Sequence, residues 1–217
     1  MLDLVPLGDR AWLARFPREA DARRWAAAAR SAGLPGVTDV VLAYQSASVH
    51  VDPDLGDVEA VGTALHRLAL PEGAPEPGRL LAIPVLYDGA DLAEVAGRVG
   101  LSVEVLVGLH AGEPYAVYAI GFQPGFPYAG YLPTPLDVVP RRPEPRVRVP
   151  AGSVAIAAGQ TGIYPAELPG GWNLIGRTPL VIVDLAAGRF PIRAGDRLRF
   201  EPIGRDEYDA RRGEPLR

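Results

Sequence analysis

Gly121-Phe122-Gln123-Pro124-Gly125-Phe126-Pro127-Tyr128-Ala129-Gly130 is the densest part of a segment, Tyr118 to Pro179, around which this chain is organised. Pro and Gly punctuate it throughout, so it can run neither as a long helix nor as an unbroken central strand. Yet it carries Phe, Tyr and Trp side chains that a disordered linker would lack. The reading is an ordered, irregular backbone. Loops this long inside a compact domain are uncommon and usually functional; a rigid cap over a barrel is the bland alternative.

Downstream of Tyr115 the pattern is all β. Short apolar runs at Tyr115–Ile120, Ser153–Ala158, Leu180–Leu185 and Arg197–Ile203 are separated by turn-rich segments. Ala186-Ala187-Gly188-Arg189 and Ala194-Gly195-Asp196 read as turns, and residues 211–217 as a charged surface tail. Such a series of short strands predicts a small barrel or sandwich.

Upstream, Ala11–Phe16 reads as a strand and Glu19–Ala32 as an Ala/Arg-rich helix with Trp25 on its apolar stripe, stopped by Gly33 and Pro35. Val37–Tyr44 and Ala47–Val51 form a hairpin about Gln45-Ser46, Leu55–Leu70 a second helix, and Leu80–Tyr87 a further strand. The order β-α-β-β-α-β is that of a ferredoxin-like unit. The expected domains are residues 1–80 and 81–217, with Leu80–Tyr87 assignable to either. The Pro/Gly-rich residues 71–78 are either an interdomain linker or a loop within the first domain. Asp91–Val99 and Ser102–His110 are two short helices, each opened by a capping residue. The second carries Glu104 and no Arg, which argues against a DNA-reading helix pair.

The chain has 217 residues, a net charge of −4 and no Cys, and its 22 basic residues are all Arg. Thiol nucleophiles, zinc–thiolate sites, Schiff-base lysines and the P-loop lysine are therefore excluded. The acidic balance (pI ≈ 5.4) argues against nucleic acid or an anionic membrane as partner. Met1-Leu2-Asp3 opens without a basic region and no apolar run reaches ~18 residues, so the expectation is a cytoplasmic protein with neither signal peptide nor membrane span.

No Gly-x-Ser-x-Gly, His-Glu-x-x-His, Walker A or Gly-x-Gly-x-x-Gly motif occurs. The chemistry-bearing groups lie in the second half. Prolines hold Pro140-Arg-Arg-Pro-Glu-Pro-Arg-Val-Arg-Val-Pro150 extended, and its guanidinium forks suit carboxylate or phosphate. Gly159-Gln160-Thr161-Gly162-Ile163-Tyr164-Pro165 presents an amide, a hydroxyl and a phenol. In Pro169-Gly170-Gly171-Trp172 two glycines admit a close backbone approach and Trp172 offers a stacking face, while Arg177 is flanked by Gly176 and Thr178. Arg146, Gln160, Thr161, Tyr164, Trp172 and Arg177 are the candidate binding residues. His110 is a weaker one, because a helix-end histidine is more often structural. No catalytic residue and no metal ligand set is identifiable.

These motifs, with Val149-Pro-Ala-Gly-Ser-Val154 and Ile175-Gly-Arg-Thr-Pro179, resemble the signature of the B subunit of bacterial ATP-dependent 5-oxoprolinase. The same family includes the inhibitor of a sporulation histidine kinase and allophanate hydrolase subunit 1, half of the carboxyltransferase domain of urea carboxylase. Gly8-Asp9, Tyr87-Asp88, Asp91-Leu92, His110 and Gly195-Asp196 also fall where the family has similar residues. Gln123 and Ala129 depart from its commoner, larger apolar residues. The resemblance implies an α/β N-terminal domain followed by a cyclophilin-like β-barrel. It further implies two partners, the homologous C subunit with its own barrel, plus the A subunit. ATP with Mg²⁺ is the implied co-substrate in opening 5-oxo-L-proline to L-glutamate. Two other roles stay open: a binding module that inhibits a histidine kinase, and a carboxyltransferase component of a biotin-dependent urea carboxylase. The latter would need its biotinylated parts on other chains, since this one has no Lys to carry biotin.

Overall fold

The computed structural model describes residues 3–75 and 78–217. It is a mixed α/β protein whose strands pair mostly antiparallel. The chain divides into two compact units, Met1–Pro77 and Gly78–Arg217. No helix among the described residues is long and apolar enough to cross a membrane.

The first unit contains β1 (Asp3–Pro6), β2 (Ala11–Arg15), α1 (Glu19–Ser31), β3 (Val37–Ala43), β4 (Ser46–Val51) and α2 (Val58–Arg67). The strands lie in the order β1-β2-β4-β3, every pair antiparallel. Helix α1 buries Ala22, Trp25, Ala26 and Ala29, a stripe at helical spacing, and the Trp25 ring meets Phe16 at 5.6 Å. Asp57 caps α2 by accepting from Glu59 N and Ala60 N at 2.9 and 3.1 Å. Gly62 lets the helix pass over Trp12, since a Cβ there would stand 2.2 Å from the indole ring. The hairpin turn is Tyr44-Gln45 rather than Gln45-Ser46, because Tyr44 takes a φ of +53° that a bulky residue seldom accepts. The expected strand order lacked β1, a four-residue strand ending in proline, and so too short to show alternation.

The second unit contains β5 (Leu80–Val85), α3 (Leu92–Arg98), α4 (Val103–Ala111), β6 (Tyr115–Ile120), β7 (Pro127–Gly130), β8 (Arg146–Val149), β9 (Ser153–Ala157), β10 (Gln160–Ile163), β11 (Leu168–Gly170), β12 (Asn173–Arg177), β13 (Arg197–Pro202) and α5 (Arg205–Ala210). Strand β5, left unassigned by the sequence, pairs parallel with β13 through six residue pairs. Asp196, 5% exposed, ties the two strand starts together by accepting from Arg79 N and the Arg79 guanidinium. The ladder then runs β13-β6-β7-β10-β9-β12, all antiparallel, with β8 and β11 as a separate pair. The ladders do not close into a barrel; a single bridge joins Leu86 to Arg177.

Strand β9 is buried along its whole length because it separates two cores. Val154 and Ile156 face a large cluster with Ile83, Val85, Leu106, Leu136 and Leu198. Ala155 and Ala157 face a smaller one with Phe126, Tyr164, Trp172 and Leu174. Two expectations need correction here. Leu180–Leu185 is not a strand; it makes only isolated bridges, Val181 to Pro215 and Asp184 to Arg189. The charged end of the chain lies mostly at the surface, as expected, but is more than a tail, since Leu216 is 5% exposed and its N–H donates to Val181 O. One apolar residue among charges was too weak a signal to reveal that anchoring.

Candidate functional site: an aromatic cleft with an unpaired arginine

The smaller core opens outward as a cleft of about 300 Å³ lined by Phe122, Phe126, Tyr128, Arg141, Arg142, Pro145, Tyr164, Pro169, Gly170, Gly171 and Trp172. Phe126 lies at its base, 2% exposed, with the rings of Phe122, Tyr128, Tyr164 and Trp172 edge-on at 5.0–5.7 Å. Edge-to-face contact satisfies the ring quadrupoles and leaves flat faces available. Gly170 makes room for this arrangement, because a Cβ there would lie 2.1 Å from the Tyr164 hydroxyl. At the rim Phe122 is 55% exposed with a φ of +63°. Strained, exposed aromatics of this kind collect at ligand sites.

The proline-stiffened arginine segment also lines the cleft and is fixed in place by backbone and side-chain bonds. Arg142 N donates to Gly171 O at 2.7 Å, and Asn173 Nδ2 donates to Pro140 O at 2.8 Å. Arg142 and Arg146 both grip Asp91 Oδ1, at 2.8 and 2.6 Å. The other Asp91 oxygen accepts from Leu174 N at 2.7 Å. Asp91 precedes α3 but does not cap it with its side chain. Burial pushes its carboxyl up, but the bonds from Arg146 and Leu174 N, with the two guanidinium charges, outweigh that and hold it below the usual range.

With Arg142 and Arg146 committed to Asp91, Arg141 is the cleft's available cation. It is exposed and makes no ion pair among the described residues. Arg142 Nε is buried with no hydrogen-bond partner among the described residues. Burial raises the Tyr164 phenol above its ordinary value, against a bond from the Trp172 backbone and the charges of Arg146 and Arg141. It therefore stays a neutral hydroxyl.

The sequence of residues 2–190 matches the family model described as carboxyltransferase domain, subdomain C and D. The chain belongs to that family. Among curated relatives, the 5-oxoprolinase B subunit of Escherichia coli O157:H7 is 44% identical over 186 residues, 83% of this chain and 84% of that protein. Its counterpart of the same name in Haemophilus influenzae is 37% identical over 208 residues, 92% and 97% of the two chains. The crystal structure of TTHA0988 superposes with a TM-score of 0.78 at 40% identity; the match covers 90% of this chain and about 40% of the length of TTHA0988.

In this member of the carboxyltransferase-domain family the candidate residues fall into separate places. Tyr164 and Trp172 line the cleft. Arg146 stands behind it, on Asp91. Gln160 opens β10, opposite Gly130 and Ala157, and does not line the cleft. Thr161 and His110 are fully buried and bonded to each other at 2.9 Å. Because Thr161 Oγ1 donates to Ala155 O, it must accept from His110 Nε2–H, and Nδ1 then accepts from the Tyr87 hydroxyl at 2.7 Å. Burial lowers the His110 pKa to about 3. This histidine is a neutral tether between α4 and β10. Arg177 lines a different pocket, of about 280 Å³, where its Nη2 and Nε donate to Asp88 at 2.7 and 3.1 Å and its guanidinium lies over the Tyr208 ring.

Sequence reasoning passed over Asp91, read as a helix cap, and undervalued Arg141, read as one of an arginine strip. An acidic residue opening a short helix fits a cap as well as a clamp, and only the fold brings Arg142 and Arg146 to it. The aromatics of Phe122–Tyr128 were noted, but nothing in their spacing said which would line one wall.

Proposed function

We propose that the chain is the B subunit of an ATP-dependent 5-oxoprolinase, opening 5-oxo-L-proline to L-glutamate in complex with the homologous C-type and the A-type partner chains of that enzyme. The observation that carries this reading is the match to proteins named as this component of 5-oxoprolinase, at 37% and 44% identity over most of both chains. That match favours the enzyme over the kinase-inhibitor and urea-carboxylase readings. In keeping with the family, the first unit is taken as a ferredoxin-like variant in which β1 fills an edge. The second is taken as a cyclophilin-like sheet left open at the Leu86–Arg177 bridge. The setting is the cytoplasm, where ATP is at hand.

A lactam amide is too stable to open readily, so its carbonyl oxygen takes the γ-phosphoryl group of ATP, presented as the Mg²⁺ complex, and ADP departs. Water then adds to the activated carbon and the C–N bond breaks with protonation of nitrogen, which leaves an acyl phosphate; a second water cleaves that acyl phosphate to the glutamate carboxylate and inorganic phosphate. This chain supplies an oriented, partly dry cleft with guanidinium donors. A nucleotide, a lactam and several proton transfers need more acid–base groups than this cleft contains. The remainder belongs to the partners. In the test, the chain is assayed alone, with the C-type partner, and with both partners for ATP hydrolysis that depends on 5-oxoproline. Activity is expected only in the complete set; a complete complex indifferent to 5-oxoproline refutes the proposal, and full activity of the isolated chain refutes the shared site.

A further inference from the structure

We propose that the aromatic cleft is the subsite for the carboxylate-bearing ring of the substrate, with Arg141 as the carboxylate fork, and that the nucleotide binds elsewhere in the assembly. The inference rests on the enzyme reading above but goes further, because it divides the two substrates between places and names the residue that selects for one.

Three observations carry it. The first is size. A cleft of about 300 Å³ is at the lower end of ligand pockets, which run from roughly 300 to 1,000 Å³. It accommodates a single five-membered ring with its carboxylate, and a nucleoside triphosphate would project from it. The second is charge. Arg142 and Arg146 each pair with Asp91, and Arg142 also lies 3.8 Å from Glu94, whereas Arg141 meets no acidic side chain among the described residues. Its planar fork suits a carboxylate bidentately. Arg142 Nε adds a buried donor without a partner on the same wall. A buried orphan donor is costly, and an anionic ligand would satisfy it. The third is shape. Phe122, Tyr128 and Trp172 line the same cleft as Arg141, so a compact ring on their apolar surface lies in one pocket with a cation for its acid group. The cleft thus combines the two features that a cyclic amino-acid-derived acid needs, an apolar surface and a cation.

The arrangement also predicts discrimination. A site built around a charged donor rejects the analogue that lacks the acceptor far more strongly than a hydrophobic pocket rejects one missing methylene. A lactam without its carboxylate should therefore bind poorly.

The experiment uses the full chain, titrated with L-5-oxoproline, with 2-pyrrolidinone (the same lactam without the acid group) and with a non-hydrolysable ATP analogue. Binding is followed on the indole N–H resonance of Trp172, assigned by Trp172→Phe. The acid should move that resonance at concentrations about 10- to 100-fold below those needed for 2-pyrrolidinone. Arg141→Ala should weaken the acid by the same factor and leave 2-pyrrolidinone unchanged, with Arg141→Lys in between. The proposal is overturned if the acid produces no shift, if Arg141→Ala binds it as the wild type does, or if the ATP analogue moves Trp172 at lower concentration than the acid. The two readings fail separately. Binding of the acid through Arg141 in a complex that does not couple it to ATP hydrolysis sinks the enzyme reading and keeps the subsite. A working complex whose KM for 5-oxoproline is unmoved by Arg141→Ala sinks the subsite and keeps the enzyme.

Discussion

Asp91 offers the sharpest test of how the cleft is held together. Its carboxylate is 2% exposed and accepts three bonds, from Arg142 Nη1, Arg146 Nη2 and Leu174 N. Replacing it with Ala strands two guanidiniums and a buried backbone N–H. Removing one partner of a buried pair costs about 3–5 kcal/mol. The arginine side chains keep 28% and 25% exposure, so water recovers part of their solvation. The orphaned N–H adds back roughly 1–3 kcal/mol. The expected loss for Asp91→Ala is about 3–4 kcal/mol, a large share of the ~5–15 kcal/mol that holds a typical domain together. Asp91→Asn retains one acceptor but turns an amide N–H₂ toward the guanidiniums, and should cost about 2 kcal/mol.

Urea unfolding followed on the Trp172 resonance reads the second unit directly, whereas Trp12 and Trp25 report on the first. Acidification gives a second readout. The folded carboxyl of Asp91 is held below its ordinary value, near 3.9 in an unfolded chain. Its contribution is therefore complete above that value and is lost as the pH falls through the lowered one. The difference between wild type and Asp91→Asn should shrink in that acid window, since titrations elsewhere are common to both. A loss below 1 kcal/mol for Asp91→Ala, or a difference that ignores pH, refutes the clamp.

Two further outcomes are expected. His110 is neutral in the fold with a pKa of about 3, against about 6.5 when unfolded, so between those values the unfolded chain binds more protons and wild-type stability rises with pH. His110→Phe should lose about 1–3 kcal/mol near neutrality from the orphaned Tyr87 hydroxyl, yet show a flatter profile from pH 6.5 downward; parallel profiles in urea titrations would remove His110 as the cause. Gly170→Ala places a Cβ 2.1 Å from the Tyr164 hydroxyl and should cost about 1–3 kcal/mol by overpacking while displacing the Tyr164 ring. An unchanged Trp172 resonance and unchanged stability would show that this wall is looser than drawn.

Helix α1 and the β3–β4 hairpin were legible because local period and composition alone specify them. The irregular strands β7, β10, β11 and β12 were not, because each is three to five residues long and interrupted by Gly or Pro. Their pairing is decided by partners distant in sequence, as when Gln160 meets Gly130. β5 illustrates the same limit in the other direction. Its apolar run was plain, but nothing local says that it pairs with β13, more than a hundred residues on. Leu180–Leu185 shows the reverse error: an apolar run with strand propensity whose neighbours offer only single bridges.

The site divides along the same line. Tyr164 could be named from the sequence as the phenol of a polar turn, and Trp172 because two glycines before an aromatic ring signal a close approach whatever the partner is. The arginines could not be ranked, since Arg141, Arg142, Arg146 and Arg148 look alike in one extended segment. What separates them is the position of one carboxylate. Asp91 takes the charge of Arg142 and Arg146, Arg148 faces the exposed Glu167 at 3.6 Å, and Arg141 is left over the aromatic cleft. The residue that binds is thus selected by those that are occupied. The same carboxylate anchors the head of α3 to β12 through Leu174 N, so the wall bearing Arg141 is fixed to the body of the sheet. A ligand's acid group then meets a cation whose segment is already ordered, and little of its binding energy goes into arranging the site.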